Sequence, residues 1–265
     1  MTLAVVGSLS RDLIDGSDPR PGGAVYYAAR ALRALGGRAI LVTKCAPEHR
    51  AQLLPALSRF GVPVAWHPAR TTTTFSFSYD GEHRRMEVAA VGDAWTAREA
   101  AADVHGARWV HVGALLRSDF PPETLSALAR AHVLSLDGQA LVRPGRVGPL
   151  TLDGDFDPAI LRNIRILKLS EAEALVALGE IDEERVRALG VPEVVVTLGS
   201  RGCIVFTSDG AERLSVDALR GVDPTGAGDS FAVAYLAARS VGHAPRAAAR
   251  RASALSAGLL SGRLR

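Results

Sequence analysis

Residues 221–231 read GVDPTGAGDSF, in which two glycines one position apart lead directly into a predicted helix. Glycines there leave the first backbone N–H groups unobstructed, and the helix dipole adds positive potential, so phosphate oxygens bind well. Asp229 stands in the first turn of the same helix. A carboxylate beside an anion site is suited to take the proton from a hydroxyl group that attacks phosphorus. The segment predicts phosphoryl transfer, although a glycine-rich turn before an ordinary helix has the same pattern.

The composition argues against several kinds of partner. The 265 residues are 48% hydrophobic, 22% charged and 5% aromatic, which is typical of a globular protein. No run of 18 apolar residues occurs and the formal net charge is only +3, so we expect neither a membrane nor a nucleic acid as partner. Residues 1–7 show no basic leader, and Cys45 and Cys203 lie in apolar runs. We therefore expect reduced thiols in a cytoplasmic protein.

Several known catalytic motifs are absent from the sequence. The two lysines, Lys44 and Lys168, do not follow a glycine in a Gly-Lys-Ser/Thr sequence, which excludes a P-loop. There is also no His-Glu-x-x-His, no Gly-x-Ser-x-Gly and no Gly-x-Gly-x-x-Gly after the first strand. These absences argue against zinc hydrolases, α/β-hydrolases and dinucleotide-dependent oxidoreductases.

Alternating strand and helix patterns predict the fold class. Apolar residues repeat at helical spacing over residues 24–35, between strand candidates at 2–7 and 38–45. The alternation resumes at residue 109 and ends in alanine-rich helices at about 227–240 and 245–260. This favours a three-layer αβα domain with a mostly parallel central sheet. No linker is long enough to separate independent domains, so we expect residues 1–265 to form one domain.

Residues 71–90 have a different pattern, in which aromatic and polar side chains alternate. Phe75, Phe77 and Tyr79 alternate with small polar residues, and Asp80-Gly81 supplies a turn. The pattern predicts a β-hairpin with one wet face. We expect it to form a small β-sheet beside the main domain.

Residues 223–231 resemble the C-terminal signature of the ribokinase (PfkB) family of ATP-dependent sugar and small-molecule kinases. The di-glycine at 22–23 resembles the family's hinge, and residues 197–202 resemble its nucleotide-binding turn, so the similarity extends along nearly the whole chain. The resemblance implies a ribokinase-like fold whose small β-sheet lid is formed by about residues 10–22 and 71–90. It also implies ATP and Mg²⁺ as cofactors.

The resemblance further implies a role for each matching position. Asp229 would be the catalytic base. The anion hole would comprise the amides of Gly226, Ala227 and Gly228. The nucleotide would contact Ser170, Thr197, Gly199 and Gly202. The acceptor would contact Asp12, Gly22, Gly23, Tyr27, Gln139 and Arg143. The metal positions would be Glu173, which holds Mg²⁺ through water, and Asp223 with Thr225, which hold a monovalent cation such as K⁺.

Two departures from the family pattern bear on metal and acceptor. Residues 170–173 read SEAE where the family commonly has Asn-x-x-Glu, and a serine N-cap followed by an acidic first turn is the alternative interpretation. Tyr27 replaces the asparagine of ribose-specific members, which argues against a ribokinase. Residues 137–143 resemble a segment of the myo-inositol kinase-like branch, so an inositol is one candidate acceptor.

The sequence thus predicts a kinase, monomeric or homodimeric, that transfers the γ-phosphoryl group of ATP to a hydroxyl of a small sugar or polyol. A nucleoside kinase of the same family would keep the chemistry and change the acceptor. A non-catalytic sensor would keep the nucleotide and ligand sites without turnover. With only two lysines in the chain, we expect phosphate to be handled by backbone amides, Mg²⁺ and arginine, and no lysine to be required.

Overall fold

Two β-sheets organise the computed structural model, which describes residues 2–14, 17–80, 83–216 and 221–264. The strands are β1 (Thr2–Ser8), β2 (Ser10–Ile14), β3 (Arg20–Gly22), β4 (Ala39–Cys45), β5 (Val64–Pro68), β6 (Thr73–Asp80), β7 (His83–Ala90), β8 (Ala107–Val112), β9 (Val133–Asp137), β10 (Gly148–Pro149), β11 (Ile164–Ser170), β12 (Glu193–Thr197), β13 (Cys203–Thr207) and β14 (Gly210–Leu214). The helices are α1 (Ala24–Leu35), α2 (Pro47–Ser58), α3 (Ala97–Ala102), α4 (Pro122–Ala129), α5 (Gln139–Val142), α6 (Glu171–Leu178), α7 (Glu183–Ala188), α8 (Ala227–Ser240) and α9 (Pro245–Leu260).

The main sheet has nine strands in the order β14-β13-β12-β11-β9-β8-β1-β4-β5. Every pair from β12 to β5 is parallel, and β13 and β14 are added antiparallel at one edge. Parallel neighbours need crossover connections, which the helices supply. The predicted α/β class with a mostly parallel central sheet is confirmed.

Helices cover both faces of this sheet. Successive side chains of a strand point to opposite faces, and β1 shows the result. Ala4 and Val6 pack into one buried core with residues of α3 to α7, whereas Leu3 and Val5 pack into a second core with residues of α1, α2, α8 and α9. The domain therefore has the three expected layers.

The small sheet has five strands in the order β10-β7-β6-β2-β3. The predicted hairpin is confirmed, because β6 and β7 pair antiparallel, although Gly81 of its turn lies outside the described residues. β2 pairs parallel with β6 and antiparallel with β3, and within the segment 10–22 residues 15 and 16 also lie outside the described part. Phe75, Phe77 and Val88 pack there against Leu115 and Leu116.

Three short helices and one short strand were not predicted from the sequence. The helices α3, α5 and α7 have six residues or fewer, and β10 has two. A window of that length contains too few repeats for a period of 3.6 or 2 to stand out. One of them, α5, carries Gln139 into the site described below.

The start of α8 is fixed by a close approach to α1. Gly226, the N-cap of α8, has φ of 76°, a left-handed conformation that favours glycine. A Cβ atom at this position would overlap the ring of Tyr27 on α1. The helix N-terminus can therefore come this close to α1 only with glycine at position 226.

We expect Gly226→Ala to lower the free energy of unfolding by about 2–4 kcal/mol, from backbone strain together with the Tyr27 overlap. The matched control is Gly61→Ala, since Gly61 has φ of 71° and nothing within 4 Å of an added Cβ. The control measures the strain alone, about 1 kcal/mol. Urea denaturation of both variants gives the difference, and equal losses would show that the contact with Tyr27 contributes nothing.

Candidate active site

Two cavities meet at the N-terminus of α8. Cavity A, of about 520 Å³, lies between the ends of β11 and β12 and helices α8 and α9. Cavity B, of about 710 Å³, lies between the main sheet and the small sheet. Ala172, Pro224 and Gly228 belong to the lining of both cavities. A ligand in one cavity can therefore meet a ligand in the other beside Gly228.

The lining of cavity A has a polar part and a largely apolar part. All four positions implied to bind nucleotide lie in it, namely Ser170, Thr197, Gly199 and Gly202. So do the helix-start residues Ala227 and Gly228. One part of the lining is largely apolar, and comprises Val216, Val222, Phe231, Ala257 and Leu260, with Ser253 and Ser256 between them. The remaining lining residues are Lys168, Glu171, Ala172, Leu198, Ser200 and Pro224. A ligand with one charged and one flat apolar part would match this lining.

Cavity B brings together most of the positions implied to contact an acceptor. These are Asp12, Gly23, Tyr27, Gln139 and Arg143, joined by Thr225, Gly226 and Asp229. The strands β6 and β7 add an apolar wall of Phe75, Phe77 and Met86. Such a mixture of polar side chains and an apolar wall suits a small polyhydroxylated ring.

Asp12 is held in cavity B by its neighbours on the small sheet. Ser10 Oγ donates a hydrogen bond to Asp12 Oδ1 at 2.8 Å. Gly22 is not part of the lining and instead packs against this carboxylate, which a Cβ at position 22 would overlap. The role of Gly22 in the geometry is therefore to leave room for Asp12.

Asp229 lies in the first turn of α8 and lines cavity B. Its Oδ1 is shielded from solvent and has no hydrogen-bond partner among the described residues. Burial, with the negative charge of Asp137 next, raises the pKa of Asp229 from 3.8 to about 7, against the opposing effect of Lys168 and Arg143. A carboxylate with such a pKa and an unpaired oxygen is suited to accept a proton near neutral pH.

The predicted anion hole offers fewer donors than expected. The N–H group of Ala227 donates to the carbonyl oxygen of Pro224 at 3.0 Å. Within the described part of the chain, the N–H groups of Gly226 and Gly228 have no acceptor. Two of the three predicted amides are thus available at the helix start, where the dipole favours an anion.

Lys168 was missed by the sequence analysis, which expected no lysine to be required. It lies on β11, is 4% exposed and lines cavity A. Its Nζ is 3.3 Å from Oδ2 of Asp137, its register partner on β9. Although burial opposes it, the charges of Asp137, Glu173 and Asp229 raise the pKa of Lys168 above its ordinary value. A lysine inside the otherwise apolar sequence ILKL, residues 166–169, was the available signal.

Glu173 acts as part of a helix cap. Its Oε2 accepts from the backbone N–H of Ser170 at 2.7 Å, and Ser170 Oγ accepts from the N–H of Glu173 at 3.3 Å. This is a capping box, so the alternative interpretation of residues 170–173 is confirmed. Glu173 lies in neither cavity lining, and the described residues contain no group of three or more His, Cys, Asp or Glu that could hold a metal.

Asp223 and Thr225 form a local turn before α8. Asp223 Oδ1 accepts from the backbone N–H of Thr225 at 2.9 Å and from its Oγ1 at 2.6 Å. Thr225 lines cavity B, and Asp223 lines neither cavity. A monovalent cation at these two residues stays a prediction.

None of the helices in the described ranges is long and apolar enough to span a membrane.

The sequence of this chain matches a protein family and resembles several known proteins. Residues 3–262 match the model for "pfkB family carbohydrate kinase". Inositol 3-kinase of Arabidopsis thaliana is 37% identical over 116 residues, which are 42% of this chain and 31% of that protein. Inositol 3-kinase of Oryza sativa subsp. japonica is 32% identical over 123 residues, 43% of this chain and 30% of that protein. The chain therefore spans about a third of the length of the curated relatives it matches.

Solved structures resemble the whole chain. The sulfate complex of a pyrophosphate-dependent kinase in the ribokinase family has a TM-score of 0.86 and 25% identity, covering 98% of this chain and 95% of that one. The fructokinase of Vibrio cholerae O395, bound to fructose, ADP and a calcium ion, has a TM-score of 0.75 and 20% identity, with coverage of 98% and 92%. The second likeness shows a common fold.

The raised pKa of Asp229, about 7 against 3.8 when unfolded, makes stability depend on pH. The folded state binds this proton more tightly, so the contribution of Asp229 to the free energy of unfolding falls as pH rises from about 4 to 7. We expect the difference between wild type and Asp229→Asn to fall by roughly 2–4 kcal/mol over that interval, measured by urea denaturation. The control variant is Asp209→Asn, which removes a carboxylate at an exposed turn and should show little change in this difference with pH. A flat difference would contradict the prediction.

Proposed function

The chain belongs to the pfkB family of carbohydrate kinases, and we propose that it transfers the γ-phosphoryl group of ATP to a hydroxyl group of an inositol or a similar small polyol. The observation that carries this proposal is the meeting of cavities A and B at Gly228, with Asp229 in the lining of B. Donor and acceptor would react across that point. The matched segments of the plant inositol 3-kinases support the choice of an inositol.

The acceptor would lie in cavity B with one hydroxyl beside Asp229. Oδ1 of Asp229 has no partner in the part of the chain that the structure describes, and it would be open to that hydroxyl's proton. Asp12 would accept hydrogen bonds from a vicinal diol, because a carboxylate accepts in several directions. Arg143 and Gln139 would bind further hydroxyls. The wall of Phe75, Phe77 and Met86 would cover the carbon-bound face of the ring.

The donor would lie in cavity A with its terminal phosphates at the start of α8. The N–H groups of Gly226 and Gly228, for which the described ranges offer no acceptor, would hold the phosphoryl oxygens as charge develops. The apolar lining supports a nucleotide over pyrophosphate, the donor of one structural relative. Pyrophosphate would leave Val216, Phe231, Ala257 and Leu260 uncovered, whereas a nucleobase would pack on them.

In the reaction, the acceptor oxygen forms a bond to the γ-phosphorus while the bond to the β–γ bridging oxygen breaks. The hydroxyl proton passes to Asp229, and ADP leaves with the bridging electron pair. The small sheet would act as a lid of a single domain and exclude water that would hydrolyse ATP. Asp229 gives up its proton to solvent when the lid opens.

The fructokinase of the same fold is bound to ADP and a calcium ion, and this supports a nucleotide and a divalent metal here. The residues here fit a Mg²⁺ ion held mainly by the donor, since such ions bind one or two carboxylates, substrate phosphates and several waters. Glu173, whose Oε2 accepts from the backbone N–H of Ser170, would contact it through water. When bound, Mg²⁺ neutralises phosphate charge and orients the phosphates. A role for K⁺ at Asp223 and Thr225 remains a proposal.

The central test is ADP release with ATP and Mg²⁺ across inositols, hexoses, pentoses and nucleosides. We expect turnover with an inositol, and a loss of about 10²–10⁴-fold in kcat for Asp229→Asn because the base is removed. Thermal stabilisation of Asp229→Asn by ATP controls for folding. Turnover with nucleosides alone would favour a nucleoside kinase. Ligand-induced stabilisation without any turnover would favour a sensor.

A second prediction tests the donor. Ala257→Phe fills the apolar part of cavity A, so we expect KM for ATP to rise about tenfold or more, a loss of about 1.4 kcal/mol in binding. Inhibition by pyrophosphate, which needs only the polar part, should not change. Ala257→Ser preserves the volume and serves as control. Equal weakening of ATP and pyrophosphate by Ala257→Phe would contradict a nucleobase at this position.

A further inference from the structure

Lys168 is a buried cation in the lining of cavity A that the proposed reaction does not use. Its neighbours on β11, Leu167 and Leu169, pack into the apolar core on the other face of the sheet. An ammonium group in such surroundings is costly unless charged and hydrogen-bonding partners compensate for lost water. What Lys168 does therefore depends on which partners it has.

The protein supplies Lys168 with one hydrogen-bond acceptor. Nζ donates to Oδ2 of Asp137 at 3.3 Å, and Oδ1 of Asp137 accepts from the backbone N–H of Gln139 at 3.2 Å. An ammonium group has three N–H donors, so in the described ranges two of them lack an acceptor. Buried donors are normally satisfied. The open direction is cavity A, because Lys168 lines it.

Gly228 keeps the ammonium group open to the helix start. A Cβ at position 228 would lie 2.8 Å from Nζ of Lys168, closer than real Cβ contacts allow. With glycine there, Nζ and the free N–H group of Gly228 can face the same ligand. Lysine binds phosphate as a point charge, and backbone amides bind its oxygens directionally.

The two cations of the site are divided between the two cavities. Lys168 lines cavity A and not cavity B, whereas Arg143 lines cavity B and not cavity A. Three carboxylates, those of Asp137, Glu173 and Asp229, act on Lys168 electrostatically. Without the lysine, these negative charges would repel the terminal phosphates of any donor in cavity A. The position of Lys168 therefore favours an interaction with the donor over one with the acceptor.

We propose that Lys168, held by Asp137, is a donor-binding residue whose ammonium group contacts the terminal phosphates of the phosphoryl donor in cavity A. The inference rests on the proposed function in one respect, which is that the ligand of cavity A is a phosphoryl donor. It identifies the chemical part of the donor that is recognised, the phosphate end, independently of the acceptor.

The first test uses the unaltered protein. Because the chain has only two lysines, labelling with nitrogen isotope gives at most two lysine side-chain signals, and Lys44→Met assigns them. We expect ATP to shift the Lys168 signal and leave Lys44 unchanged. Pyrophosphate should shift the same signal, and adenosine should not. A Lys168 signal that saturating ATP leaves in place overturns the proposal.

The second test removes the charge without leaving a buried ion unpaired. Lys168→Met combined with Asp137→Asn replaces the pair by neutral side chains, and we expect its dissociation constant for ATP to rise at least tenfold by calorimetry. KM for the acceptor should change less than twofold. The matched control is Lys44→Met with Glu99→Gln, because Lys44 is 2% exposed and its Nζ lies 3.5 Å from Glu99, outside both cavity linings. The control should bind ATP as wild type does.

The outcomes separate this inference from the proposed function. A folded Lys168→Met/Asp137→Asn variant that binds ATP as wild type does shows that the pair is only structural, while turnover by the wild type would leave the proposed function intact. Binding of ATP and pyrophosphate at Lys168 in a protein that phosphorylates no acceptor would support the inference about Lys168 and contradict the proposed function. Recovery of ATP affinity in Lys168→Arg would support a contact made by charge.

Discussion

The site depends on how closely the start of α8 approaches α1. Gly226 lies against the ring of Tyr27, and this contact fixes the first turn of α8 at the boundary of two cavities. A helix start displaced by the width of one side chain would separate Gly228 from cavity B or Asp229 from its buried environment. The amides predicted to bind an anion, and the carboxylate, are thus positioned by packing between α1 and α8, two helices that lie far apart in the sequence.

Positively and negatively charged side chains lie close together around that helix start. Asp229 would be difficult to keep deprotonated near Asp137 and Glu173, and Lys168 and Arg143 lower the cost. Lys168 in turn stays charged in a buried place because the same carboxylates surround it. Lys168 Nζ lies 3.3 Å from Asp137 Oδ2, and among the described residues Oδ1 of Asp229 has no hydrogen-bond partner. The opposite charges therefore offset part of the cost of burying one another.

The sequence predicted those parts of the site whose residues are adjacent in the chain. Residues 226–229 reveal a helix start and a carboxylate together, and α1, α8 and α9 follow from their apolar spacing. The pair Lys168–Asp137 could not be predicted in this way, because it arises from the register between β9 and β11, 31 positions apart. Periodicity fixes the face of a strand but not its neighbour's register. Glu173 illustrates the reverse case, since its spacing fitted a metal role and a helix cap equally well, and the structure shows the cap.

The first connection between the two sheets is very short. Only Leu9 separates β1 from β2, and it is fully buried. The small sheet supplies the wall of Phe75, Phe77 and Met86 to cavity B, and none of its described residues lines cavity A. Substitutions in that wall can reshape one cavity while the helix start and its charges keep their positions. Three side chains of the small sheet can therefore change which molecules fit cavity B, while Asp229 and the start of α8 stay as they are.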